Sequence, residues 1–140
     1  MKKTIYRYVA LLLISLFISS AVVPKAIAAD TAQPRYELIR YFYAELIISD
    51  SGYAKSSCGV RLRDPSGTVS LTMELQQSGN GTTWSTIKSW DASGVGSATL
   101  EKGWYVLSGY SYRVKATADV YSASGGWVET EITYSSIVYY

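Results

Sequence analysis

Three carboxylates, Asp119, Glu129 and Glu131, stand beside an aromatic pair, Tyr121 and Trp127, near the C-terminal end of the chain. Ser122 to Gly126 reads as a glycine-containing hairpin loop. If the hairpin pairs Val120 with Val128, then Tyr121 lies opposite Trp127 and Asp119 opposite Glu129, with Glu131 on the same outward face. Like charges directly opposed across two strands cost about 0.2–1 kcal/mol. Such a cluster could hold calcium, which takes oxygen ligands. It could act as an acid–base pair in glycoside cleavage. It could also be an ordinary solvated strand face, relieved by Lys115 or by a one-residue shift in the assumed pairing. The aromatic pair offers stacking faces for a sugar ring or a protein partner, or else cross-strand packing that stabilises the hairpin. Trp90 and Trp104 are the alternative aromatic positions for such a surface.

Other chemistry is sparse. The chain has no histidine, which removes serine–histidine and cysteine–histidine catalysis and the usual zinc sites. No glycine-rich phosphate loop joins a strand to a helix. The one cysteine, Cys58, has no base beside it in the sequence and falls in phase with Val60 and Leu62. It reads as a buried apolar residue rather than a nucleophile. The expectation is a protein that is not an enzyme.

The elements that must position these residues begin after a leader. Lys2, Lys3 and Arg7 precede an apolar run from Tyr8 to Val23, then Pro24, Lys25 and the small-residue site Ala26-Ile27-Ala28. This is the order of a secretory signal peptide, here 1–29. A flexible lead-in is expected over 30–35 and the folded domain over 36–140. The leader carries four of the basic residues and none of the acidic ones, so the remainder has 9 basic against 11 acidic residues. A slightly acidic domain lacks the footprint of a nucleic-acid binder. No second apolar run is long enough to span a membrane, so a secreted, extracellular chain is expected. With one cysteine, no internal disulfide can staple the fold.

Short alternating runs separated by Gly, Ser, Asn and Asp predict an all-β fold, an antiparallel β-sandwich of about seven strands. The runs are Tyr41 to Ser49, Lys55 to Arg63, Thr68 to Gln76, Thr83 to Trp90, Ser97 to Glu101, Tyr110 to Tyr121 and Trp127 to Tyr134. The clearest inward sets are Val69, Leu71, Met73 and Leu75, and Tyr112, Val114, Ala116, Ala118 and Val120. In the fourth run Trp84, Ile87 and Trp90 break period two, which predicts a bulge or twist. Asp91 to Gly96 reads as a loop. In the last run Val128, Thr130, Ile132 and Tyr134 are expected to face inward. Tyr112, at the start of the longest run, resembles the tyrosine corner of immunoglobulin-like and fibronectin-type sandwiches, with an ordinary core tyrosine as the alternative.

Four segments together resemble a known family. They are Ala54 to Val60, Leu71 to Gln77, Trp84 to Trp90 and Gly109 to Ala116. Behind a signal peptide, their order resembles a DUF6147-type family of small secreted proteins of uncharacterised function from clostridia and related Gram-positive bacteria. The resemblance implies an exported β-sandwich and brings no catalytic residue. The functional expectation is a non-catalytic binding module for cell-envelope glycan or a protein partner. A structural or self-associating surface protein is the alternative. The leader is testable first: the exported protein should have the intact mass of a chain starting at Ala29 or Asp30, and a full-length product held in the membrane would contradict the signal-peptide reading.

Overall fold

The computed structural model describes residues 37–140. The leader expected over 1–29 and the lead-in over 30–35 lie outside these residues. Among the described residues every regular element is a strand: β1 (Ile39–Ile48), β2 (Tyr53–Leu62), β3 (Thr68–Ser78), β4 (Ser85–Val95), β5 (Ser97–Tyr105), β6 (Ser111–Tyr121), β7 (Trp127–Tyr134) and β8 (Val138–Tyr139). No helix there is long and apolar enough to cross a membrane. The strands form two antiparallel sheets, β1-β2-β5 and β4-β3-β6-β7, and β8 also pairs with β6. This is an immunoglobulin/fibronectin-like β-sandwich, with short β8 added to the seven expected strands.

Alternation builds the core. Val69, Leu71, Met73 and Leu75 on β3, and Tyr112, Val114, Ala116, Ala118 and Val120 on β6, are all fully buried. β3 and β6 stay in register from Thr68↔Tyr121 to Ser78↔Ser111. The facing sheet contributes Ala54, Cys58, Val60 and Leu62 from β2, Ala98 and Leu100 from β5, and Ile39 and Leu46 from β1. Cys58 is therefore a core residue, as its phase predicted. Burial pushes its thiol pKa up to about 11, so the nucleophilic thiolate is disfavoured at neutral pH.

The tyrosine corner is present. The Tyr112 hydroxyl donates to the Leu107 carbonyl at 2.7 Å, while its ring is fully buried. The bond anchors the crossover from β5 to β6 on the core, and burial raises the phenol pKa.

Two readings of the sequence are corrected. Asp91 to Val95 belongs to β4 and pairs with Thr72 to Thr68. Its loop-like composition is offset by that pairing, and the Thr72 hydroxyl donates to Asp91 at 2.7 Å. The chain then leaves one sheet for the other at Gly96, whose φ of 73° suits glycine. The expected irregularity of β4 is real: Leu75 pairs with Lys88 and Gln76 with Thr86, so Ile87 is the extra residue.

The second correction concerns β7. Tyr121 does pair with Trp127, but Val120 pairs with Glu129, Asp119 with Thr130 and Ala118 with Glu131. Val128 is the extra residue of a bulge. Every later side chain of β7 therefore takes the opposite face from the one expected. Ile132 and Tyr134 are exposed, whereas Glu129 and Glu131 are only half-exposed.

The corner is the feature of this framework that one atom can test. Tyr112→Phe leaves the Leu107 carbonyl without its partner and should cost about 1–3 kcal/mol in denaturant titration. Tyr110→Phe removes a hydroxyl that makes no hydrogen bond among the described residues and should change stability by less than about 0.5 kcal/mol. Equal effects would mean that the corner bond contributes nothing.

Candidate binding surface at the β2–β3 end

Three turns meet at one end of the sandwich: Arg63 to Gly67 after β2, Gly96 between β4 and β5, and Ser122 to Gly126 after β6. The first two are tied together by backbone hydrogen bonds. Gly96 N–H donates to the Gly67 carbonyl at 2.7 Å, and Leu62 N–H donates to the Gly96 carbonyl at 2.8 Å. Asp64 caps its own turn by accepting from the Ser66 hydroxyl and N–H at 2.7 and 2.9 Å. Those bonds, the hydroxyl's first, hold its carboxyl below the usual range. The β6–β7 turn closes through Ser122, whose N–H donates to the Gly126 carbonyl and whose hydroxyl accepts from Gly126 N–H.

Tyr121 and Trp127 flank this last turn and face each other across the ladder, as predicted. Tyr121 is half-buried, and Trp127 is 64 % exposed. The indole is nonetheless held. Its N–H donates to the Thr130 hydroxyl at 3.2 Å, and that hydroxyl donates to the Asp119 carboxylate. Asp119 thus acts as the anchor of an exposed aromatic ring. Beside the pair, Leu38, Leu62, Val120, Tyr121 and Val128 line a mostly apolar cavity of about 180 Å³.

The carboxylate cluster does not assemble. Asp119 sits on the outer face, but the Val128 bulge turns Glu129 and Glu131 towards the opposite face, across from Val120 and Ala118. Glu129 accepts from the Leu38 N–H at 3.2 Å, so it fastens β7 to the start of β1. No group of three acidic, histidine or cysteine side chains able to hold a metal occurs among the described residues. The three carboxylates Asp119, Glu129 and Glu131, expected on one face as a calcium set, are therefore divided: Asp119 anchors the indole, Glu129 ties β7 to the start of β1, and Glu131 lies half-exposed opposite Ala118. Lys115 does not relieve them: it pairs with Glu74 at 2.9 Å. That bond is the chief reason the Glu74 carboxyl lies below its ordinary pKa.

The two alternative tryptophans have other roles. Trp90 lies opposite the buried Met73 and packs half-buried against the core. Trp104 lies opposite the buried Ala54 on edge strand β5, with the Lys88 ammonium 3.6 Å from its ring centroid. Lys88 points inward from edge strand β4, opposite Leu75. The cation–π contact therefore closes one open side of the sandwich. A related brace lies on the outer face of the larger sheet. The Arg113 guanidinium is sandwiched between Trp84 at 4.2 Å and Tyr134 at 4.3 Å, and its Nε–H donates to Gln76 at 2.8 Å. The sequence reading missed this brace, although Arg113 sits at an outward position of β6.

No family model matches the chain, and no curated protein matches it. The metal question is decided by melting. With the three carboxylates on two faces, millimolar calcium and excess chelator should give the same midpoint. A real site would add about 2.7 kcal/mol at one hundred times its dissociation constant.

Proposed function

We propose that this protein is a secreted, non-catalytic binding module that engages cell-envelope glycan through the Tyr121–Trp127 surface. The observation that carries the reading is Trp127: a large indole, mostly exposed, yet fixed in orientation by Thr130 and Asp119. Holding the ring in place before binding lowers the ordering cost of stacking a ligand on it. An apolar ring face with a polar edge suits a pyranose, whose axial hydrogens and equatorial hydroxyls match that pattern.

The position supports the same reading. In immunoglobulin variable domains the turns that follow the second and second-last strands contribute to one recognition end. The Tyr121–Trp127 pair occupies the corresponding end here, an analogy of architecture only. Export and an extracellular location belong to the proposal. They rest on the leader pattern and on the resemblance to the DUF6147-type family.

A second reading has its own observation. At the opposite end Tyr105, Leu107, Ile137 and Tyr139 are each more than half exposed. Self-association through these side chains would make the protein a structural component of a surface layer. Sedimentation over a range of concentrations separates the two: a monomer at all concentrations removes the self-associating reading.

The glycan reading is tested with Tyr121→Ala/Trp127→Ala in pull-downs on purified cell-wall glycan. Binding should fall at least tenfold, while stability falls by only about 1–2 kcal/mol, the order of a lost cross-strand pair with its hydrogen bond. A folded double mutant that binds like the parent would contradict the assignment.

A further inference from the structure

The outer face of the three-stranded sheet carries a second cleft. Tyr41 and Tyr43 project from β1 as neighbouring outward side chains, with ring centroids 5.3 Å apart and planes tilted by 35°. Across the sheet they face Arg61 and Gly59 on β2, and these pair with Ser97 and Thr99 on β5. Aromatic side chains thus form one wall, and small side chains form the floor. Gly59 is required for this shape: a Cβ there would lie 2.5 Å from the Tyr43 ring. Pro65, Val95 and Gly96 close the end, and the enclosed volume is about 400 Å³. That is within the range of small-ligand sites, roughly 300–1,000 Å³.

Charge distinguishes this cleft from the Trp127 surface. Arg61 is exposed and has no acidic partner among the described residues. Arg40, at the β1 bulge, and Arg63, just past β2, are likewise exposed and unpaired at the same corner. The other described arginine, Arg113, is committed to its aromatic sandwich. Asp64, the nearest acid in sequence, is occupied by Ser66. A slightly acidic domain thus keeps an uncommitted guanidinium, Arg61, in the lining of a tyrosine-walled cleft, with exposed Arg40 and Arg63 next along the strands. The Ser97 and Thr99 hydroxyls at its floor also make no hydrogen bond among the described residues. Guanidinium groups pair with carboxylate and phosphate in two-point geometry.

We propose that this cleft binds an acidic sugar residue, with the ring against Tyr41 and Tyr43 and the anionic group on Arg61. The Ser97 and Thr99 hydroxyls are placed to meet the sugar hydroxyls. A cleft this size admits one or two rings of a chain running over the sheet. The proposal shares the saccharide reading given above but none of its residues, so the two fail separately.

Four soluble probes of equal length test it: an oligogalacturonate, a phosphorylated oligosaccharide, a neutral oligosaccharide and an oligoglutamate. Titration calorimetry should detect one or both acidic saccharides, weakening as salt rises, and no binding of the neutral one. Whichever acidic saccharide binds identifies the anion as carboxylate or phosphate. Arg61→Gln and Tyr41→Ala, each with an unchanged melting midpoint, should each lower that affinity at least tenfold, and Arg61→Lys should lose less than Arg61→Gln. Tyr121→Ala/Trp127→Ala should leave it unchanged. The proposal is overturned if neither acidic saccharide binds or if the neutral probe binds as tightly. It is equally overturned if Arg61→Gln or Tyr41→Ala has no effect, if the Tyr121/Trp127 double mutant loses acidic-saccharide binding, or if the oligoglutamate of the same charge binds equally well.

Discussion

Eleven consecutive pairs join β3 to β6 without a register shift, and the inward apolar side chains of both strands are fully buried. With one cysteine there is no disulfide to limit the unfolded chain, so burial of these rows and of the facing β1-β2-β5 sheet must hold the fold. Strict alternation follows from that need, because a one-residue slip would exchange the apolar row for Arg113, Lys115 and Asp119. The Tyr112 hydroxyl extends the constraint to the β5–β6 crossover. The consequence for function is that the outer rows and the turns carry little of the stability. They are where recognition can be built at small cost to folding.

The sides of the sandwich impose a second constraint. Each sheet has two edge strands, and an open edge invites pairing with another chain. One side is closed by the inward Lys88 against Trp104, the other by Glu129 accepting from the Leu38 N–H. Both devices place a charge where a sheet-extending neighbour would have to bury it. They also explain why Trp104 and Glu129, which the sequence offers for ligand and metal binding, serve as closures instead. Beyond these closures, exposed aromatic side chains include Trp127 at the β2–β3 end, Tyr41 on the outer face of the smaller sheet, and Tyr105 and Tyr139 at the opposite end.

The central strands were legible because period two is unambiguous when one face is wholly buried, as in β2, β3 and β6. Tyr112 was legible because its place at the start of the second-last long strand has a known partner. β7 was not. Trp127 to Tyr134 mixes apolar, hydroxyl and acidic side chains on an edge strand, where neither face is wholly buried, so both phases look acceptable. Only the ladder with β6 reveals the Val128 bulge. Asp91 to Val95 hid as a loop because small polar residues on an edge strand contribute almost no apolar signal. The Tyr41–Arg61 cleft was hidden for a different reason: its walls come from three strands distant in sequence. Its available signal was Tyr41 and Tyr43 two residues apart on an outward face, with a glycine on the neighbouring strand.

The proposed recognition resides at the β2–β3 end and its adjoining outer face, with the core and the opposite end as passive support. Amide chemical-shift mapping during titration with solubilised cell-wall fragments addresses this directly. Perturbations should be confined to Tyr121 to Thr130 and to Tyr41, Tyr43, Arg61 and Ser97, with Tyr105 to Leu107 and Ile137 to Tyr139 unmoved. Perturbations centred on Tyr105, Leu107 and Tyr139 would contradict this assignment and place the working surface at the other end of the sandwich.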